Sequence, residues 1–222
     1  TPSMRDLPQF MATGLMIRQQ TEITKIAHHG GHIGFFDKDD LVATGRNAII
    51  TAPATQTGKL LADIYTDLAA TAGLASYDPC WTIMLGLEDD DGLGTEILRE
   101  EAAGIALSVP EMIRSNQQSG FGAPALTIQA TGAWSQQHLQ DDPQIVIESL
   151  CQIWQNLTGK PLGNISTAIA HRWLYAKVTT AAPSEAPRLS NDGKLAIAGD
   201  WLGGPRVEQA FDSGQQAYRH LN

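Results

Sequence analysis

At 222 residues the chain is long enough for one large domain or two small ones, and its 42% hydrophobic content is that of a globular protein with a sizeable core. The net charge of −9, with no clustered Lys or Arg, argues against nucleic acid as a partner, because phosphate binding needs grouped cations. No run of about 18 or more apolar residues exists, so no membrane-spanning helix is expected.

The opening, Thr1-Pro2-Ser3-Met4-Arg5-Asp6, reads as neither a signal nor a transit peptide, and the missing initiator Met suits a chain that begins mid-protein. Residues 4–15, with Met4, Leu7, Phe10, Met11 and Leu15, have helical spacing. Residues 21–27 and 32–36 are rich in β-formers and flank His28-His29-Gly30-Gly31, a hairpin signal. A buried strand over 47–53 is stopped by Pro53, and a helix from Thr57 to Thr71 carries Leu60, Leu61, Ile64 and Leu68 on one face. The apolar runs 79–87, 105–109 and 125–130 read as strands. Asp142 caps a helix with Pro143 at its first position; Val146, Leu150, Ile153 and Leu157 form its stripe, and Gly159 with Pro161 ends it. Residues 162–175 read as a strand approach, and 179–188, with Pro183 and Pro187, as a connector.

The most informative stretch is the last one. Leu195 to Ala198 form a short strand, and a glycine turn through Gly199, Gly203 and Gly204 leads into a helix. That helix places Val207, Ala210, Phe211, Gly214, Ala217, Tyr218 and Leu221 on one expected apolar face. A strand, a glycine turn and a helix start make an anion-binding device, since small residues admit a ligand to the backbone and the helix N-terminus offers N–H groups and positive dipole. Asp200 stands at the end of the strand, where open α/β sheets bind ligands. His171, Trp173 and Tyr175 alternate, so on a strand all three share a face.

Other constellations are weaker. His28, His29 and His32 lack the further ligand that a tetrahedral zinc site needs, and no metal is expected. Asp89-Asp90-Asp91-Gly92 lacks the alternating ligands of a calcium loop. No G-x-S-x-G elbow is present, and Cys80 and Cys151 have no identifiable base, so hydrolase chemistry is unsupported. The two cysteines imply no disulfide framework and suit a reducing, cytoplasmic setting; the sequons at Asn156 and Asn164 are then chance matches.

Gly199-Asp200-Trp201, Gly203-Gly204, Arg206-Val207-Glu208, Ala210-Phe211 and Ser213-Gly214 resemble the C-terminal flavin motif of renalase-like and flavin amine oxidase-like proteins. His171-Arg172-Trp173-Leu174-Tyr175-Ala176 is similar to the His-Arg-Trp block of that family, and Trp134 with Asp141-Asp142-Pro143 resembles its central region. Such proteins open with a G-x-G-x-x-G cradle for the dinucleotide pyrophosphate. This chain shows none: Gly92-Leu93-Gly94 and Gly120-Phe121-Gly122-Ala123-Pro124-Ala125 both read as loops.

The resemblance implies an α+β, flavoprotein-like chain. Residues 1–53 are expected to be part of an FAD domain, 54–187 a substrate-binding-type domain with a mixed sheet, and 188–222 the C-terminal strand–turn–helix of a Rossmann-like FAD domain. It implies an FAD-dependent oxidoreductase that passes a hydride from a small reduced substrate, a dihydronicotinamide isomer or an amine, to flavin, which oxygen reoxidises. Gly199, Asp200, Trp201, Gly203, Gly204, Arg206, Val207 and Glu208 would contact FAD, His171 and Trp173 would serve catalysis, and Trp134 and Tyr175, near one another, would line the substrate. The partners implied are the flavin, a small-molecule substrate and an N-terminal Rossmann segment that the chain lacks. The other reading is a truncated interaction module that no longer holds FAD and self-associates as a homodimer through strand edges left at 47–53 and 195–198.

Overall fold

A computed structural model describes residues 6–88, 93–110 and 124–222. In chain order its helices and strands are α1 (Asp6–Met11), β1 (Lys25–His29), β2 (His32–Asp37), β3 (Asp40–Gly45), β4 (Ala48–Ile50), α2 (Ala54–Leu61), α3 (Thr66–Gly73), β5 (Ser76–Leu87), β6 (Leu98–Glu100), β7 (Ile105–Pro110), β8 (Ala125–Ala130), α4 (Gly132–Gln137), α5 (Pro143–Thr158), β9 (Ile165–Thr180), β10 (Leu195–Ile197) and α6 (Val207–Leu221). The fold is α+β, as the sequence indicates. Among the described residues, no helix is long and apolar enough to cross a membrane.

The chain divides into two compact units. One comprises Thr1–Leu15 with Asp78–Ala176, and the other Met16–Tyr77 with Lys177–Asn222. These divisions differ from the sequence-based boundaries at 53/54 and 187/188. The reason is burial: Ala54, Leu61, Leu68 and Ala72 from the helices after β4 share a core with Leu195, Ile197 and Trp201.

In the unit of 16–77 and 177–222, β1, β2 and β3 form an antiparallel meander. The two-residue turn between β1 and β2 is Gly30-Gly31, with φ of +56° and +80°, the left-handed geometry that two-residue hairpin loops require. β4 pairs in parallel with β10, Ala48 opposite Leu195 and Ile50 opposite Ile197. The single helix expected over 57–71 is two, broken before Tyr65, whose φ of −135° is extended. Tyr65 is held there by its hydroxyl, which donates to Asp192 Oδ2 at 3.1 Å, and the break lets Leu61 and Leu68 both reach the core.

In the unit of 1–15 and 78–176, a five-stranded sheet has the order β6-β7-β8-β5-β9. Ile83 and Leu85 of β5, Ile105 of β7, and Leu126 and Ile128 of β8 are fully buried with Val146, Leu150 and Trp154 of α5. Each such side chain contributes roughly 1.5–3 kcal/mol on burial. α5 starts as expected, with the Gln144 N–H donating to Asp142 Oδ1 at 2.8 Å, and ends on Gly159 at φ +67°. Its buried face is Val146, Ile147, Leu150, Cys151 and Trp154, rotated from the expected stripe so that Leu157 is exposed. The helix expected over 4–15 is confined, among the described residues, to Asp6–Met11, with Phe10, Met11 and Leu15 exposed. Residues 89–92 and the start of the Gly120–Ala125 pattern lie outside the described residues.

Candidate functional site

The strand–turn–helix near the carboxyl end has the expected backbone. β10 leads through Ala198 to Gly199, then to a 3₁₀ turn at Asp200–Leu202, then to Gly203, Gly204 and α6. Gly199 sits at φ +155°, ψ 168°, a region open essentially to glycine alone. A Cβ there would also meet the Trp201 indole at 2.5 Å, so the glycine serves the close approach of that ring. Trp201 itself is 1% exposed, and its Nε1–H donates to the Ala52 carbonyl at 3.2 Å. Its place is the core. The expectation that it contacts a cofactor does not match this placement, because the indole has neither free surface nor a free N–H.

The rest of the turn is open. The Asp200 carbonyl accepts from the N–H groups of Gly203 at 3.0 Å and Gly204 at 2.6 Å, which folds the glycines back over the 3₁₀ turn. Gly204 has φ +127°, and nothing lies within 4 Å of where its Cβ would stand. Arg206 is extended and gives α6 no side-chain cap. The N–H groups of Val207, Glu208 and Gln209 consequently have no acceptor among the described residues, while Ala210 N–H returns to the Arg206 carbonyl at 3.2 Å. Val207 is 78% exposed. The carboxylate of half-buried Asp200 and the guanidinium of exposed Arg206 have no hydrogen-bond or ion-pair partner among the described residues. A bare helix N-terminus after an open glycine turn is suited to an anionic ligand edge.

α6 is not oriented as its apolar spacing suggests. Ser213 and Ala217 are its buried residues, packed toward Ala196 and Ala198, whereas Val207, Phe211 and Tyr218 are exposed. Small residues win because the helix lies close on β10: Ser213 Oγ accepts the Gly199 N–H at 3.0 Å. Arg188 adds a clamp that sequence reasoning left inside a connector. Its Nη2 donates to the Leu202 carbonyl at 2.8 Å, and its buried Nε has no partner among the described residues.

In the other unit, β9 carries His171, Trp173 and Tyr175 on one face, as alternation requires. The His171 and Trp173 rings meet edge to face at 4.1 Å, both exposed, and Tyr175 is half-buried. Trp134 lies on α4, a helix unmarked in the sequence reading. It stacks not on His171 or Trp173 but on His138, at 3.9 Å and 21°. His138 Nδ1 lies 2.7 Å from Asp141 Oδ2, and its carbonyl accepts the Trp81 indole N–H at 2.9 Å. The Arg172 guanidinium donates to the neighbouring Leu139 carbonyl. This histidine was missed; its signal was the spacing Trp134, His138, Asp141, one stack and one acid a helical turn apart.

The cysteines are poor nucleophiles. Burial pushes the Cys80 thiol up, against a hydrogen bond with Thr82, and pushes Cys151 up to about 11. The three hairpin histidines are exposed and separately engaged: His28 edge-on to Tyr65, His29 to Phe36, and His32 Nδ1 at 3.1 Å from the Gly30 carbonyl.

No protein-family model matches the chain. Solved structures do. A protein from Exiguobacterium sp. 255-15 assigned as a protoporphyrinogen oxidase superposes with a TM-score of 0.76 at 13% identity, over 98% of this chain and 50% of that one. Cyclohexylamine oxidase from Brevibacterium oxydans IH-35A gives 0.64 at 12% identity, over 90% and 47%. An oxidoreductase from Methanosarcina mazei gives 0.59 at 15% identity, over 89% and 48%. The chain thus has the fold of about half of each of these proteins, and at such identities the likeness is one of fold.

Proposed function

We propose that this chain is the cofactor-turn and substrate-side portion of an FAD-dependent oxidoreductase of the renalase-like and flavin amine oxidase-like kind. The observation that carries this reading is the bare first turn of α6, with three acceptor-less N–H groups behind a glycine turn that leaves space at Gly204. Fold likeness to oxidases and the motif resemblance support it. FAD, when bound, supplies the hydride acceptor and returns its electrons to oxygen.

The chain's own residues then have defined tasks. The N–H groups of Val207, Glu208 and Gln209 and the positive end of the α6 dipole would hold the flavin ring and favour negative charge on its N1 and C2-carbonyl edge. Gly203 and Gly204 would admit the flavin to the backbone, and Asp200 would hydrogen-bond its ribityl or phosphate part. Arg188 holds the turn through the Leu202 carbonyl. His171, Trp173 and Tyr175 on one face of β9 would offer an aromatic surface to the substrate, and Trp134, stacked on His138, would add to the substrate side from α4. A dihydronicotinamide isomer or an amine is the substrate class proposed. β4 has only β10 as a strand neighbour among the described residues, so its outer edge can accept a parallel strand from a G-x-G-x-x-G unit.

That same edge supports a second reading, an interaction module that pairs with another copy of itself; Ile49 is exposed there. Quenching of flavin fluorescence separates the two. Saturable FAD binding that Gly204→Val and Asp200→Ala each weaken at least tenfold supports the flavin reading. A dimer indifferent to FAD supports the second.

A further inference from the structure

The strand that carries His171 and Trp173 has little of its own to hold it still. β9 is the terminal strand of its sheet, and no residue from Ile165 to Lys177 is buried. Few buried contacts and an open edge mark a stretch of low local stability. The two rings nevertheless meet edge to face at 4.1 Å, with Trp173 52% exposed. Two open rings keep one geometry only if the backbone beneath them is fixed.

An anchor stands on the opposite face. Alternation turns Arg172 away from His171 and Trp173, to the side of Ala170, which packs against the core under the sheet. There the Arg172 guanidinium lies 5.7 Å from the centre of the Trp81 indole and donates through Nη1 to the Leu139 carbonyl. Both supports are themselves tied down. Trp81 is buried, its backbone N–H donates to Ser135 Oγ at 2.9 Å, and its indole N–H donates to the His138 carbonyl at 2.9 Å. The turn that offers the His138 and Leu139 carbonyls is closed by the contact of His138 Nδ1 with Asp141 Oδ2 at 2.7 Å. No carboxylate pairs with Arg172 among the described residues, so a ring face and a carbonyl decide where the cation sits. One side chain of β9 thus joins the strand to β5 and to the turn after α4.

Resting on the reading of His171 and Trp173 as substrate-side groups, we propose that Arg172 is their positioning residue. It touches neither flavin nor substrate. It acts through the β9 backbone, holding the two flanking side chains in place from behind the sheet. The requirement is for a cation on a long stem that reaches both the indole face and the carbonyl, which a lysine meets in part and a methionine does not.

Aromatic ¹H–¹³C spectra of the chain without flavin test this, so that failure here is separate from failure of the FAD titration. The edge-on indole displaces the His171 ring-proton signals, and Trp173→Leu defines the size of that displacement. In Arg172→Met at least half of it should be lost, and the β9 amides around position 172 should exchange at least tenfold faster, with the α5 amides unchanged. Arg172→Lys should keep more than half of the displacement. A merely structural arginine would lower the urea midpoint and leave the His171 signals of the folded chain where they are. A measurement on the parent chain needs no variant to fold: the Arg172 guanidinium N–H groups should exchange at least tenfold more slowly than those of exposed Arg206. The proposal is overturned if Arg172→Met leaves the His171 signals unmoved, if Arg172→Lys loses as much as Arg172→Met, or if Arg172 exchanges as fast as Arg206.

Discussion

Replacing Gly199 with alanine tests how the turn before α6 is built. The new methyl would stand 2.5 Å from Trp201 Nε1 and 2.6 Å from Cδ1, inside any real carbon contact, and both atoms belong to a ring fixed in the core. Three costs combine. A non-glycine residue at φ +155°, ψ 168° costs of order 1–3 kcal/mol. Overpacking against a ring that cannot leave costs about 1–3 kcal/mol. Loosening the indole N–H from the Ala52 carbonyl removes a further ~1 kcal/mol. Allowing for partial relief of strain by ring movement, the total is roughly 3–5 kcal/mol. Native-state hydrogen exchange reads it locally: protection of the β10 and β4 amides should fall by about two to four powers of ten. Gly204→Ala is the control, with a left-handed φ of +127° but open space around its Cβ. It should lose only the backbone part, of order 1–3 kcal/mol. If the two variants lose equal protection, or if Gly199→Ala loses under about tenfold, the packing of Trp201 against this glycine is not what fixes the turn.

The remaining expectations concern single interactions. Asp142→Ala removes the acceptor for the Gln144 N–H and should cost about 1 kcal/mol in urea unfolding, with Asp142→Asn close to the parent. Leu150→Ala empties a fully buried position under the sheet and should cost about 2–5 kcal/mol, the upper end if the site does not collapse. Burial, followed by the hydrogen bond to Asp192 and its charge, pushes Tyr65 up from 10.0 to about 12. A raised value favours the neutral phenol in the fold, so its contribution is complete below about pH 10 and is lost as the pH rises through about 12. Ultraviolet titration should show a tyrosine that ionises well above the ordinary phenol value of 10.0, and Asp192→Asn should bring it down.

What could be read in the chain depended on whether a local rule decided the geometry. Gly30-Gly31 between β-formers fixed the hairpin, because only glycine takes both positions at positive φ so readily. Asp142-Pro143 and Gly159 bounded α5 at both ends, since caps satisfy orphan backbone groups wherever the helix sits. Faces were less legible. On α6 the large apolar residues suggested the buried side, yet Ser213 and Ala217 are the buried ones, with Leu221 packed beside Ala196, Ala198 and Ala217 and Val207, Phe211 and Tyr218 left exposed. The break between α2 and α3 came from a tertiary bond, Tyr65 to Asp192, 127 positions apart. At the candidate site, glycine spacing located the turn and the helix start, both local features. It could not separate Asp200, which is half-exposed, from Trp201 beside it, which is buried, because that difference is made by Ala52 from another strand's end. The His138–Asp141–Trp134 cluster was hidden for the same reason, its shape depending on Trp81 and Arg172 from β5 and β9.

The central claim is that the first turn of α6 offers its N–H groups to a flavin ring, and amide spectra of the ¹⁵N-labelled chain titrated with FAD address it most directly. The account requires saturable shifts at Gly203, Gly204, Val207, Glu208 and Gln209, reduced by Asp200→Ala, with the α5 amides unmoved. Shifts confined to other residues, or none at these five at saturating FAD, would contradict it.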